Sequence, residues 1–232
     1  MPTLDSTVLV DIAKQLNILA VVAYLVPIAV CIRRWPHLAP PTRPLILTAL
    51  GISLLLNVLS EVGRQVWNTN ILFIYFITWT ETLFLGWAYY QALHTPRSRQ
   101  LLGGAAAVFG LVALAEPLMH GFSGEQTYTR TAQSILLIGA ALAYFEQVLH
   151  ELRNIRLERD PMFLVSVGVT LYYSGTLMVF VLEDSMQKQH QISQIWIMYI
   201  IQAVLSIMLS GLIAWALHHA ARRTQEHFNR SF

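Results

Sequence analysis

Five stretches of the chain run without any Asp, Glu, Lys or Arg: Gln15–Ile32, Pro44–Ser60, Gln65–Thr80, Pro161–Leu182 and Gln189–Ala221. Crossing a bilayer as a helix takes roughly 17–25 apolar residues, a length that all but the 16-residue Gln65–Thr80 reach without a charge. Reading hydropathy between charged and Pro/Gly punctuation predicts seven spans. They fall at about 16–32, 45–67, 71–94, 101–120, 128–151, 162–183 and 192–219. The breakers APPTRP (Ala39–Pro44) and GFSG (Gly121–Gly124) separate two pairs of them. The predicted fold is an all-α polytopic membrane protein, a single seven-helix transmembrane domain over residues 1–232.

Composition excludes the soluble alternative. Of 232 residues, 55% are hydrophobic and only 12% are charged, about half the charge of an ordinary soluble domain. The arginines then set an orientation. With the N-terminus outside, the cytoplasmic ends collect Arg33, Arg34, Arg43, Arg97, Arg99, Arg153, Arg156, Arg159, Arg222, Arg223 and Arg230, and the other side keeps Lys14, Arg64, Arg130 and Lys188. Eleven against four predicts N-out and C-in. The opening MPTLDSTVLVDIAK has acids and no basic n-region, so a cleaved signal peptide is not expected. One cysteine, Cys31, excludes an intrachain disulfide framework. A net charge of +2 makes no case for nucleic acid. The loops are too short to hold a soluble catalytic domain, so activity must reside in the bundle or be passed to a partner.

Polar residues inside the spans are the informative ones, since burying them in hydrocarbon is costly. Ser53, Asn57, Ser60, Glu61 and Arg64 fall within a sector of roughly 100° on the second span. Glu61 and Arg64 are three apart and can pair directly. In the third span, Tyr75, Thr78, Thr82, Gly86 and Tyr89 form a stripe, and Glu81 flanks it near mid-depth. The fifth span opens with Tyr128, Thr129 and Arg130, continued by Gln133, Ser134 and Tyr144. Arg130 is placed to reach Glu61 or Glu81, and its fork suits a carboxylate. The sixth offers Ser166, Thr170 and Tyr173 around LYYSG (Leu171–Gly175), and the seventh Tyr199, Gln202, Ser206 and Ser210. Turning these faces inward predicts a polar, Tyr-rich cavity in the outer half of the bundle. Its expected ligand-binding residues are Asn57, Glu61, Tyr75, Thr78, Glu81, Arg130, Tyr173 and Gln202.

Other polar positions read as structural. Glu116, Glu183 and Asp184 lie at helix ends, and Glu146 and Glu151 sit beside loop arginines. Small residues in the fourth span (Gly103 to Ala107) and seventh span (Ser206, Ser210, Gly211) read as helix-packing positions. Trp35, Trp67 and Trp196 read as interfacial aromatics. His218, His219 and His227 lack zinc-ligand spacing, so no metal is expected. A retinal Schiff base needs a mid-depth lysine, and Lys14 and Lys188 lie near the span ends. No P-loop, GxSxG or other cofactor motif is present.

Two resemblances can be named. The succession Glu61, Tyr75, Thr78, Glu81, Arg130, LYYSG and Trp196 resembles a group of uncharacterised short bacterial seven-helix membrane proteins often encoded beside sensor histidine kinases. That resemblance implies a receptor-like subunit of the bacterial inner membrane, signalling to a cytoplasmic or membrane partner. Asn57-x-x-x-Glu61 resembles an element of the integral-membrane terpene cyclases of meroterpenoid pathways, where the glutamate is taken to protonate an epoxide or alkene. Here Ser60 replaces the usual tryptophan before the glutamate, and the last span carries Gln202 in place of an acid. The expected function is a membrane sensor that binds a small lipophilic or amphipathic ligand in the cavity. The alternatives are a cyclase using Glu61, or Glu81, as general acid, and a small transporter.

Overall fold

The computed structural model describes residues 6–35, 42–66, 69–121, 126–151, 160–188 and 192–230. Trp67, Arg153, Arg156 and Arg159 lie outside the described residues, as do the side chains of Arg43, Glu183, Asp184, Lys188, Arg222, Arg223, His227 and Arg230. The helices are α1 (Ser6–Ala23), α2 (Leu25–Arg33), α3 (Thr42–Val66), α4 (Ile71–Ala92), α5 (Pro96–His120), α6 (Thr127–Glu151), α7 (Pro161–Lys188) and α8 (Ile192–Arg230). Among the described residues there is no strand, and seven spans are long and apolar enough to cross a membrane, α1 and α2 together forming the first.

The helix of the first span starts at Ser6, ten residues before the expected span at Leu16. Asp11 and Lys14 lower the hydropathy there without stopping the helix. It breaks instead at Tyr24, whose N–H reaches back to the Val21 carbonyl at 3.2 Å. Pro27 explains the break: it has no N–H to donate, and its ring crowds the carbonyl four residues earlier, that of Ala23. Elsewhere helix ends follow local chemistry. Pro96 opens α5 where its missing N–H costs nothing. Asp160 caps α7, its Oδ1 accepting the Met162 N–H at 3.3 Å and its Oδ2 the Tyr144 hydroxyl at 2.6 Å. Gly121 ends α5 at φ 69°, a left-handed conformation that glycine adopts without strain.

The helices form a ring. The α1–α2 pair packs on α3, α3 on α4, α4 on α6, α6 on α7, α7 on α8, and α8 closes back on α1 and α2. Helix α5 stands outside this ring against α6 and α4. Its outer face leaves Leu101, Leu111 and Leu118 at 70–85% exposure, a surface suited to hydrocarbon rather than water. The largest apolar core lies between α4, α5, α6 and α7, around Tyr89, Leu137, Ala141, Val169 and Tyr173. A smaller one joins Cys31 of α2 to Leu217 and Ala221 of α8.

Close helix approach uses other small residues than expected. A Cβ on Gly103 or Gly104 would meet nothing within 4 Å, and Ala105 to Ala107 are exposed. Gly211 is equally open. The tight contacts are at Gly63, against Phe73 and the Thr69 carbonyl, and at Gly168 and Gly175 of α7, against Leu209, Leu212 and Leu205 of α8. Among the described glycines within helices, only these three meet a neighbour that a side chain would crowd.

Candidate functional site

A partly open cavity of about 450 Å³ lies inside the ring, in the half of the bundle where α3 ends and α4 begins. Every ring helix except short α2 supplies lining side chains, and α5 supplies none. Of the eight expected residues, seven line it: Asn57, Glu61, Thr78, Glu81, Arg130, Tyr173 and Gln202. Tyr75 does not. It is 1% exposed and packs edge-on against Trp79 with ring centroids 6.2 Å apart. The reason is the rotation of α4. The stripe Tyr75, Thr78, Thr82, Tyr89 is its buried face, turned toward α6 and α7, and Glu81 at the edge of that stripe faces the cavity.

Glu81 is the polar centre of the floor. It lies ten residues into α4, roughly 15 Å from the helix start at 1.5 Å per residue. The Tyr24 hydroxyl donates to Oε1 at 3.2 Å and the Tyr173 hydroxyl to Oε2 at 3.3 Å. Gln133 Nε2 in turn donates to the Tyr173 oxygen at 3.5 Å and to the Thr78 carbonyl at 3.2 Å. The directional chain is Gln133 to Tyr173 to Glu81, with Tyr24 entering from the opposite side. The α1–α2 break, α4 and α7 thus meet at one carboxylate, and α6 joins them through Tyr173. Tyr24 was not expected here; its one sequence signal was Pro27, three residues later.

Nearer the mouth, Arg64 clamps Glu61 with both faces of its fork, Nη2 to Oε1 at 2.6 Å and Nε to Oε2 at 3.2 Å. Gln65 adds a third donor to Oε1 at 2.8 Å. Asn57 bonds its amide to the Ser53 carbonyl at 2.8 Å, and Asn70 ties the α4 start to Ser60 at 3.3 Å. Lys14 and Asn17 of α1 also line the mouth, as do Trp196 and Tyr199 of α8, paired edge-on at 5.8 Å. Trp196, expected as an interfacial aromatic, is a cavity residue.

The depth of Arg130 follows from its neighbours. Gln126, just before α6, and Gln133, a turn after Arg130 on it, both bond to Thr78, at 3.3 Å and 3.2 Å. Arg130 is therefore level with Thr78, and Glu81 lies three residues deeper, roughly 4.5 Å along the axis.

The remaining polar residues build structure. Glu116 is 5% exposed and accepts the N–H groups of Tyr128 (3.0 Å) and Thr129 (2.8 Å), capping α6 from the end of α5. Gln147 accepts the His94 N–H at 2.8 Å and donates to the Ala92 carbonyl at 3.3 Å, closing the end of α4. Glu146 faces His150 at 4.0 Å, both exposed. Trp215 donates its indole N–H to His219 at 2.7 Å. Among the described residues no group of three His, Cys, Asp or Glu is placed to hold a metal ion.

No protein-family model, curated protein or solved structure matches the chain. The cavity has to be read from its own chemistry. It combines one deep carboxylate held by phenols, an arginine a turn above it, and a wall of Ala20, Val21, Ile74, Ile77 and Ala203. That mixture of oriented polar groups and apolar wall is the usual character of a small-molecule site.

Proposed function

We propose that the protein is a multi-pass membrane sensor that binds a small amphipathic ligand in this cavity. The observation that carries the reading is Glu81, a carboxylate deep in an apolar helix, oriented by Tyr24 from the break in the first span and Tyr173 from α7, and lining the cavity. A carboxylate needed only for packing would have its lone pairs enclosed; this one keeps a face toward the cavity. Ligand contact at Glu81 would bear on α1, α4 and α7 together, through Tyr24 and Tyr173. A ligand shifts the packing only if it binds one arrangement better. The shift would be passed to a partner at the arginine-rich end of the bundle, to which α8 extends nine residues past its apolar span.

The charge asymmetry of the loops supports an N-terminus outside, a cytoplasmic C-terminus and a place in the bacterial inner membrane, with the cavity opening outward. Less supports the cyclase alternative at Glu61: Arg64 and Gln65 donate three N–H bonds to it, the setting of a carboxylate that accepts, not of an acid with a proton to give.

Thermal-shift screening of the full chain in nanodiscs against lipophilic and amphipathic compounds tests the reading. At least one compound should stabilise the wild type and do so much less in Glu81→Gln. Absence of any wild-type response, or an equal response in the variant, overturns it.

A further inference from the structure

The cavity has its mouth at the end of the bundle, near Arg64 and Trp196, and its side wall is weakest between α1 and α3. Helix α1 packs extensively on α8 and barely touches α3. Short α2, nine residues against the eighteen of α1, makes more contact with α3 than α1 does. The break at Tyr24 accounts for this, because it lets α1 lean toward α8 while α2 stays on α3. Both sides of the seam line the cavity, α1 with Lys14, Asn17 and Val21, and α3 with Asn57 and Glu61. Helix α5 lies against α6 and α4 and does not cover it.

Each flank of this seam changes character from inside to outside. At about 100° per residue, Leu9, Ala13 and Ala20 share one side of α1, and all three are buried. Asn17, then Val21 and Lys14, come next round the helix, and Ile18 follows, 51% exposed. Lys14 and Asn17 are exposed although they line the cavity, so lining and outer surface are continuous along α1. On α3, the side toward α4 is marked by Gly63, against Phe73, and by Ser60, bonded to Asn70 at 3.3 Å. The other side, beyond Glu61, carries Leu54 and Val58, the latter 43% exposed. The seam thus has a polar throat, Asn17 and Glu61, between apolar lips, Ile18 and Val58.

A polar throat that opens on hydrocarbon is costly unless polar atoms fill it. Apolar lips at the same opening suit an alkyl chain. One molecule meets both demands if it carries a polar head on a chain. A second chain would need a wider gap than two helices that still touch. We infer, resting on the ligand-binding reading of this cavity, that its ligand is a single-chain amphiphile drawn from the bilayer, its head inside the cavity and its alkyl chain leaving sideways between α1 and α3, over Ile18 and Val58.

Photolabelling in nanodiscs tests this seat. Analogues of lauric acid, dodecanol and dodecylamine with a diazirine in the chain are added to the full protein, and labelled residues are mapped by mass spectrometry. At least one should label Ile18, Val21, Leu54 or Val58 saturably, competed by its unlabelled parent and not by the butyl compound with the same head. Leu111 on α5, 70% exposed, should take only the uncompeted labelling of bulk lipid. Val58→Trp, which fills the seam from an exposed position, should weaken the competed binding by about tenfold or more, as overpacking a site does. Leu111→Trp should not. If Val58→Trp does not fold, competition at the lips of the wild type still decides. Labelling of the lips that no parent competes overturns the inference, as does competed labelling that Val58→Trp leaves unchanged. Should compounds stabilise the wild type through Glu81 while the lips take only bulk labelling, the lateral seat falls and the sensor reading stands; if no compound of either kind binds, both fall.

Discussion

The Tyr24 hydroxyl donates to Glu81 at 3.2 Å across 57 positions of sequence, so the break in the first span and the deep carboxylate of the third are one feature. Removing a hydrogen bond to a charged group costs about 1.5–3 kcal/mol. Tyr24→Phe and Tyr173→Phe should each lower stability by an amount in that range, read as a drop in melting temperature in nanodiscs. Tyr128→Phe, altering a ring 66% exposed, should leave it within error. If Tyr24→Phe melts like the wild type, its bond to Glu81 contributes nothing.

The Glu61–Arg64 pair behaves differently. Their side chains are 19% and 43% exposed, and ion pairs this open are worth about 0–1 kcal/mol. Arg64→Gln should shift the melting temperature far less than either tyrosine change. A loss as large as that of Tyr24→Phe would show that the pair is a structural clasp of the mouth.

How far this site was legible depended on whether its signals were local. Gaps in the charge pattern mark five of the spans, hydropathy between charged and Pro/Gly punctuation supplies the other two, and all seven overlap the spans long and apolar enough to cross a membrane. The spacing of Glu61 and Arg64 forecasts their contact because one helix turn sets it. Glu81 stood out because a charge near mid-depth is rare. Its hydrogen bonds were not legible: Tyr173 was expected in the same cavity and Tyr24 was not, but they come from 92 and 57 residues away, and nothing along the chain ties either to it. Tyr75 shows the limit of a stripe, which fixes a shared face but not its direction; here the stripe met α6 and α7, and its edge met the cavity. Gly103 and Gly104 show the same for packing, since a small residue permits close approach only where another helix arrives.

Glu116 gives a prediction about folding alone. It satisfies two of the four N–H groups left open at the start of α6. Glu116→Ala should cost about 1–2 kcal/mol, the usual range for a lost cap, and Glu116→Gln less, because one oxygen remains. Hydrogen exchange at the amides of Tyr128 and Thr129 should accelerate in the alanine variant. Unchanged protection there would mean the cap is not what holds that helix end.

The glycines divide by what faces them. A methyl at Gly63 would lie 2.8 Å from the Phe73 ring and 3.0 Å from the Thr69 carbonyl, and such overpacking costs about 1–3 kcal/mol. Gly103→Ala meets open space and gains up to about 1 kcal/mol of helix propensity. The two substitutions should therefore move the melting temperature in opposite directions. A stabilised Gly63→Ala would mean that the α3–α4 junction is looser than its contacts.

Pro27 offers the sharpest separation of stability from function. Replacing it with alanine restores a backbone donor and removes the ring that crowds the Ala23 carbonyl, relieving up to about 3 kcal/mol of helix cost. Local propensity alone therefore favours Pro27→Ala. The kink, however, sets where Tyr24 points, and a straightened first span would carry its hydroxyl away from Glu81. The expected outcome is a variant that melts no lower than Tyr24→Phe yet loses most of the ligand-induced stabilisation, because the carboxylate is present but no longer oriented. Tyr24→Phe, which keeps the kink, should weaken the ligand response less. If Pro27→Ala responds to ligand like the wild type, the break in the first span is incidental and Tyr24 reaches Glu81 without it.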